Sequence, residues 1–266
     1  MRRPHALLCA AMLSGSLALA SAPPLSTDRP DQSDSPFTVP RGLFQIETGL
    51  QHGERSSRGQ DLTIQVFPQA LFRIGVTDSL EVRLAVPGYS VADSDSADGS
   101  FRATGFADTT LGFKAKLADQ HGRVPDIAFV GTLTIPSGDD EFSSDRFDPG
   151  FRFSVSHPVN QRITVGSNIG MFWLTSRDAQ GALDSRSFLD WTLVAGFSVN
   201  DKLGSFAEVF GATGVSAEDR PLTSLGSGVT YLLAPRIQID GRVTVGLSRD
   251  ALDWTAGAGV SFRFPR

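Results

Sequence analysis

The sequence predicts an all-β protein, a transmembrane antiparallel up-and-down β-barrel of about 12 strands. Three observations predict it. Apolar and polar residues alternate with period two in segment after segment, and Gly, Pro, Asn, Asp and Ser punctuate the segments to the end of the chain. The apolar set of each segment carries no Asp, Glu, Lys or Arg. The connections are alternately long and short. Composition narrows the class further: 40% hydrophobic residues are too many for a disordered chain, and a net charge of −5 gives no support for a nucleic-acid partner. Mean hydropathy is −0.06. Beyond residue 22 no apolar run approaches the roughly 20 residues of a membrane helix, which excludes a helical bundle.

The elements follow in chain order. Residues 1–22 read as a cleaved signal peptide: Arg2 and Arg3 start it, Ala6 to Ala20 is apolar, and Ala20-Ser21-Ala22 supplies the small residues of a cleavage site. The single cysteine, Cys9, falls inside it, so the exported chain is expected to hold no disulfide, thiolate metal site or cysteine nucleophile. Loss of the two arginines moves the charge from −5 to −7. Residues 23–42, with Asp28, Asp31, Asp34 and five prolines, show no helix or strand pattern and form a periplasmic segment. It either hangs free or enters the barrel from below, where Phe37 and Val39 would find something to bury against. Residues 43–266 form the barrel.

Strands are predicted near residues 43–52, 62–74, 80–87, 108–117, 126–136, 150–156, 162–175, 188–199, 203–211, 223–233, 236–247 and 253–264. In the eleventh, Ile237, Ile239, Val243, Val245 and Leu247 share one face, and Gln238, Asp240, Arg242 and Thr244 share the other. The ninth is the least regular, because Phe206 and Phe210 share the face of Glu208.

A soluble sandwich would alternate in the same way, with the apolar face as its core. Three features favour the membrane barrel. Long polar loops at 53–61, 88–107, 137–149, 176–187 and 212–222 alternate with tight turns such as Gly75 to Asp78, His157 to Gln161, Asn200 to Lys202 and Ala234 to Pro235. Trp173, Trp191 and Trp254 fall on the apolar face at the long-loop end, while Phe44, Phe72, Phe197, Tyr231, Phe262 and Phe264 fall on it at the short-turn end, making two interfacial belts. The terminal run Gly259-Val260-Ser261-Phe262-Arg263-Phe264 has the alternating aromatics of a final barrel strand, followed here by Pro265 and Arg266.

The run from Thr27 to Gly42, continuing into Gln45-Ile46-Glu47-Thr48-Gly49, resembles the start of the outer-membrane transporters grouped as MetA-pathway of phenol degradation. Gly75-Val76-Thr77-Asp78-Ser79-Leu80-Glu81, Gly105-Phe106-Ala107-Asp108-Thr109-Thr110-Leu111-Gly112, Pro136-Ser137-Gly138-Asp139 and Phe206-Ala207-Glu208 match as well. The resemblance spans the mature chain and implies an outer-membrane β-barrel of a Gram-negative bacterium that admits small hydrophobic or aromatic compounds.

The inward face is the candidate solute path. It carries Glu47, Glu81, Arg83, Lys114, Lys116, Arg152, Asp190, Glu208, Asp240 and Arg242 among small residues such as Gly112, Gly166, Gly196 and Gly259, which leave space. These charges either pair into a ladder that stiffens the wall or, through Arg83, Lys114, Lys116 and Arg242, form a positive constriction for anionic aromatics. No catalytic residue, metal site or cofactor is expected: His52, His121 and His157 have no metal-ligand spacing, and no Gly-x-Ser-x-Gly occurs. The acidic runs at 93–98 and 138–141 read as solvated loops. The leading function is a channel for small molecules; a non-conducting barrel that meets a surface through loops 88–107 and 137–149 is the alternative, and an outer-membrane hydrolase the third. Lipid, small solutes and the assembly machinery are the expected partners.

Overall fold

The computed structural model describes residues 24–265 apart from 58, 98, 178–180 and 217–219, so the expected signal peptide lies outside the described residues. They form β1 Leu43–Ser57, β2 Gln60–Thr77, β3 Leu80–Val86, β4 Tyr89–Ser96, β5 Gly99–Phe106, β6 Thr109–Ala118, β7 Asp126–Ile135, β8 Asp148–Pro158, β9 Ile163–Arg177, β10 Leu183–Ser198, β11 Leu203–Gly214, β12 Leu222–Ala234, β13 Ile237–Gly246 and β14 Trp254–Pro265. Every pairing is antiparallel. Twelve strands close a ring in the order β1, β14 back through β6, then β3 and β2, and β2 returns to β1. Phe44 of β1 faces Phe264 of β14 on one side and Ile74 of β2 on the other. Closure leaves no open edge around the ring, as a barrel in lipid requires.

The remaining two strands correct an expectation. Residues 88–107, read as an external loop, are a hairpin: β4 pairs with the outer half of β2, from Phe67 against Tyr89 to Gln60 against Ser96, and β5 pairs with β4. Pro87 lacks an N–H and Gly88 takes φ 94°, so the chain steps out of β3 there and resumes as β4. Strands β1, β2, β10 and β11 likewise run on into residues read as loop at 53–61, 176–187 and 212–222. The cause is length. β2 has 18 residues where 9–11 tilted residues cross a bilayer, and beyond the lipid a strand needs no apolar face. Without that face the alternation that marks strands disappears from the sequence.

The two faces are inverted relative to a soluble protein. Leu193 and Val243 point outward and are 56% and 58% exposed, whereas Gln45, Arg73, Glu81 and Lys114 point inward and are fully buried. Phe206 and Glu208 are both buried, so the irregular strand puts an aromatic ring into the lumen beside its carboxylate. On the outward face, Phe44 stacks on Phe72 and Phe264 at 6.2 and 6.4 Å, and Phe264 on Phe262 at 6.1 Å, next to the short turns. Trp254 lies at the opposite end, 5.2 Å from the His52 ring.

Two short turns show how sequence sets register. In Val159 to Ile163 and in Val199 to Leu203, the valine N–H donates to the carbonyl four residues on, at 2.9 Å in both. Asn160 Oδ1 accepts from the N–H groups of Arg162 and Ile163, and Asn200 Oδ1 from those of Lys202 and Leu203. An asparagine side chain thus substitutes for a backbone carbonyl inside each turn.

Candidate functional site

The segment before β1 lies inside the barrel, against the inward side chains. Asp28 is its hub. Its carboxylate stands 2.8 Å from Arg83 Nη2 on β3, 2.8 Å from Lys114 Nζ on β6 and 3.4 Å from Arg73 Nη1 on β2. Asp34 takes Arg83 Nη1 at 2.9 Å and Arg152 Nη1 of β8 at 2.8 Å, and Arg152 also pairs with Asp190 of β10. On the opposite side Arg29 reaches Asp240 of β13 at 3.2 Å. The wall answers with its own carboxylates: Arg73 bonds Glu81 at 2.9 Å and Glu47 at 2.8 Å. Glu47 Oε2 also accepts the N–H groups of Asp28 and Arg29, and Glu81 Oε2 that of Val39.

Such a network exists because the lumen takes these charges out of water. A buried ion is tolerated only with partners that replace its hydration. The inward cations and the segment's aspartates therefore need one another, and an empty lumen would leave Arg73, Arg83 and Lys114 facing only Glu47 and Glu81. Of the charges expected to line a path, Glu47, Glu81, Arg83, Lys114, Arg152, Asp190, Glu208 and Asp240 are brought together around the segment. Arg242 bonds the Pro30 carbonyl at 3.1 Å and Gln51 at 2.7 Å. Lys116 is apart from them, paired at 2.6 Å with Asp119 in the β6–β7 turn. Arg83 and Lys114 thus pair with aspartates of the segment, whereas the two expectations were pairing within the wall and a bare positive constriction.

The inward glycines belong to the same design. A Cβ on Gly49 would lie 2.4 Å from Arg29 Nη2, and one on its partner Gly259 would lie 2.5 Å from the same guanidinium. Read as empty space in the sequence, Gly259 is occupied by an arginine from elsewhere in the chain. The missing signals were Asp28, Arg29 and Asp34 themselves, polar residues in a segment without periodicity.

Above the segment the lumen stays open. An outer cavity of about 650 Å³, roofed by the 136–147 loop, shares Thr110, Thr132 and Phe172 with a deeper one of about 250 Å³. Leu71, Ala85, Val130 and Phe172 line the deeper cavity, with Arg83, Arg152, Asp34 and Asp190 also in its wall. The roof is tied to Asp108, between β5 and β6. Its carboxylate accepts from the N–H groups of Ser137 (3.0 Å), Gly138 (2.9 Å) and Ser144 (2.8 Å). Burial works to raise the Asp108 pKa, but these donors outweigh it and hold the group below the usual carboxylate range. Asp139 in turn accepts from the Phe106 N–H at 2.6 Å. Two separated motifs of the sequence, Gly105 to Gly112 and Pro136 to Asp139, therefore clamp each other.

The histidines lie apart in the fold. His52 is on the outer half of β1, His121 in the β6–β7 turn and His157 at the opposite end of β8 from the roof. Among the described residues no group of three or more His, Cys, Asp or Glu side chains is arranged to hold a metal ion.

The fold is similar to that of an outer-membrane channel from Pseudomonas putida F1, at 13% identity and a TM-score of 0.69 over 88% of this chain and 100% of that one. It is also similar to the translocator domain of the autotransporter NalP from Neisseria meningitidis, at 12% identity and a TM-score of 0.56 over 84% and 88%. No curated protein matches the sequence. A family model described as "Putative MetA-pathway of phenol degradation" matches residues 27–264.

Proposed function

Because the chain belongs to that phenol-degradation family of outer-membrane barrels, we propose that it is a passive channel admitting small hydrophobic or aromatic molecules, without covalent chemistry. The observation that carries this reading is the pair of joined cavities leading inward from the outer mouth to the segment, with Leu71, Ala85, Val130 and Phe172 on the walls. An aromatic body finds apolar contacts there, and the ion-paired arginines below it discriminate against bulk electrolyte. The segment of residues 24–42 is the constriction.

Removal of residues 24–40 tests it. The refolded barrel is expected to show discrete openings in planar bilayers, with anion preference created by the uncovered Arg73, Arg83 and Lys114 and reduced by Arg83→Gln with Lys114→Gln. The density of ion pairs across the lumen favours the alternative of a non-conducting barrel. A truncated barrel that is heat-modifiable and electrically silent supports that alternative.

A further inference from the structure

Three consecutive residues of the segment meet three consecutive strands. Asp34 N–H donates to Asn168 Oδ1 on β9 at 2.6 Å, and Asn168 Nδ2 donates back to the Asp34 carbonyl at 3.0 Å. Ser33 Oγ donates to Thr192 Oγ1 on β10 at 2.6 Å. Gln32 N–H donates to Glu208 Oε2 on β11 at 2.9 Å. Asn168 and Thr192 are register partners, so the contacts form one continuous seam across the wall.

Cavities lie on both sides of this seam. Above it a space of about 230 Å³ is lined by Phe172, Phe210, Ala212 and Ser224; below it one of about 170 Å³ is lined by Thr164, Gly166, Gly196 and Phe206. An apolar cavity of roughly 150 Å³ holds a benzene. Each space is large enough for a single aromatic ring, with Gln32, Arg152 and Asp190 also in the wall of the upper one and Asp31, Ser33 and Asp34 in that of the lower.

The rest of the segment is held differently. Asp28 is bound by Arg73, Arg83 and Lys114, Arg29 by Asp240, and the Asp34 carboxylate by Arg83 and Arg152. Bonds between ions are roughly twice as strong as neutral ones. The hydroxyl and amide contacts of Ser33 and Asn168 are the neutral, and so the weakest, part of the ring of contacts, and they lie where space exists above and below. Gln32 beside them is held by the Glu208 carboxylate and, on its carbonyl, by Arg152 Nη1 at 3.4 Å.

We propose that this seam is the gate: a small uncharged aromatic solute passes along the β9 to β11 wall by parting Gln32 and Ser33 from Glu208 and Thr192, while the ion pairs keep the segment anchored to β2, β3 and β6. The proposal rests on the channel reading and gives it a route.

The test places cysteines in a Cys9→Ser background. Ser33→Cys with Thr192→Cys locks the seam, and Thr27→Cys with Gln238→Cys, whose native side chains bond at 2.9 Å, locks the segment to β13 instead. Each barrel is refolded, checked by heat modifiability, and its KCl conductance recorded before and after oxidation. Oxidation of the seam pair is expected to lower open probability at least tenfold, reversibly with dithiothreitol, and oxidation of the β13 pair to leave it unchanged. Two conducting or two silent crosslinked barrels overturn the seam. As a second arm without crosslinks, Ser33→Ala with Asn168→Ala raises open probability roughly tenfold by removing neutral hydrogen bonds; no rise overturns the proposal. A folded barrel lacking residues 24–40 that stays silent overturns the channel reading itself. A conducting one beside an ineffective seam crosslink overturns only the route.

Discussion

Asp28 and Lys114 are 86 residues apart in the chain and 2.8 Å apart in the lumen, and both side chains are almost wholly withdrawn from solvent. One carboxylate before the first strand thus neutralises cations from three strands of the wall, Arg73 and Arg83 being the others. The pre-strand segment is part of the barrel's core.

Asp28→Asn is therefore expected to cost on the order of 3–5 kcal/mol, because it leaves buried cations without their shared partner. Urea denaturation followed by heat modifiability measures this. Asp61→Asn, on the exposed outer part of β2, is the control and is expected to change stability by less than about 0.5 kcal/mol.

Gly49→Val is expected to expel Arg29, loosen the segment and strain the β1–β14 pairing, since the new Cβ would begin 2.4 Å from the guanidinium and 2.5 Å from the Ala258 carbonyl oxygen. Protease cleavage within residues 24–42 and a lowered temperature of heat modification should both appear in this variant.

Acid should release the roof loop. The folded-state pKa of Asp108 is depressed below the ordinary 3.8, so its stabilisation is complete above about pH 4 and is lost as pH falls through the lower folded value. Pepsin cleavage near Phe142 and Phe147 is expected to rise steeply below pH 4 in the wild type. In Asp108→Asn it should already be high at pH 4 and rise less. Equal profiles would contradict the clamp.

Leu193→Arg puts a cation on the outward face between the aromatic belts, where the cost is roughly 2–4 kcal/mol in lipid. Refolding yield into phosphatidylcholine vesicles should fall accordingly, whereas Val215→Arg, beyond the end of β11, should refold as wild type.

Much of the barrel is legible because lipid enforces it. Outward positions such as Ile239, Val243 and Val245 must be apolar, the inward Gln238, Asp240 and Arg242 need not be, and the alternation follows. Where lipid ends, the signal ends too, and β4, β5 and the outer parts of β1 and β10 read as loop. The candidate site was half legible. Charges on the wall can be located by parity alone, but their partners Asp28, Arg29 and Asp34 occupy a stretch with no repeat, so nothing local states which way it turns.

The amino-acid order by itself determined the class of fold, the inward and outward faces, the turn chemistry of Asn160 and Asn200, and the motifs that mark the family. Only the tertiary structure decided that the lumen is filled by the chain's own start, that Gly49 and Gly259 make room for Arg29, and that Asp108 clamps the 136–147 loop. The physical reason is range. Alternation and turns are set by neighbours and by the solvent on each face, whereas a buried ion pair is set by desolvation, which exists only once twelve strands have closed around it.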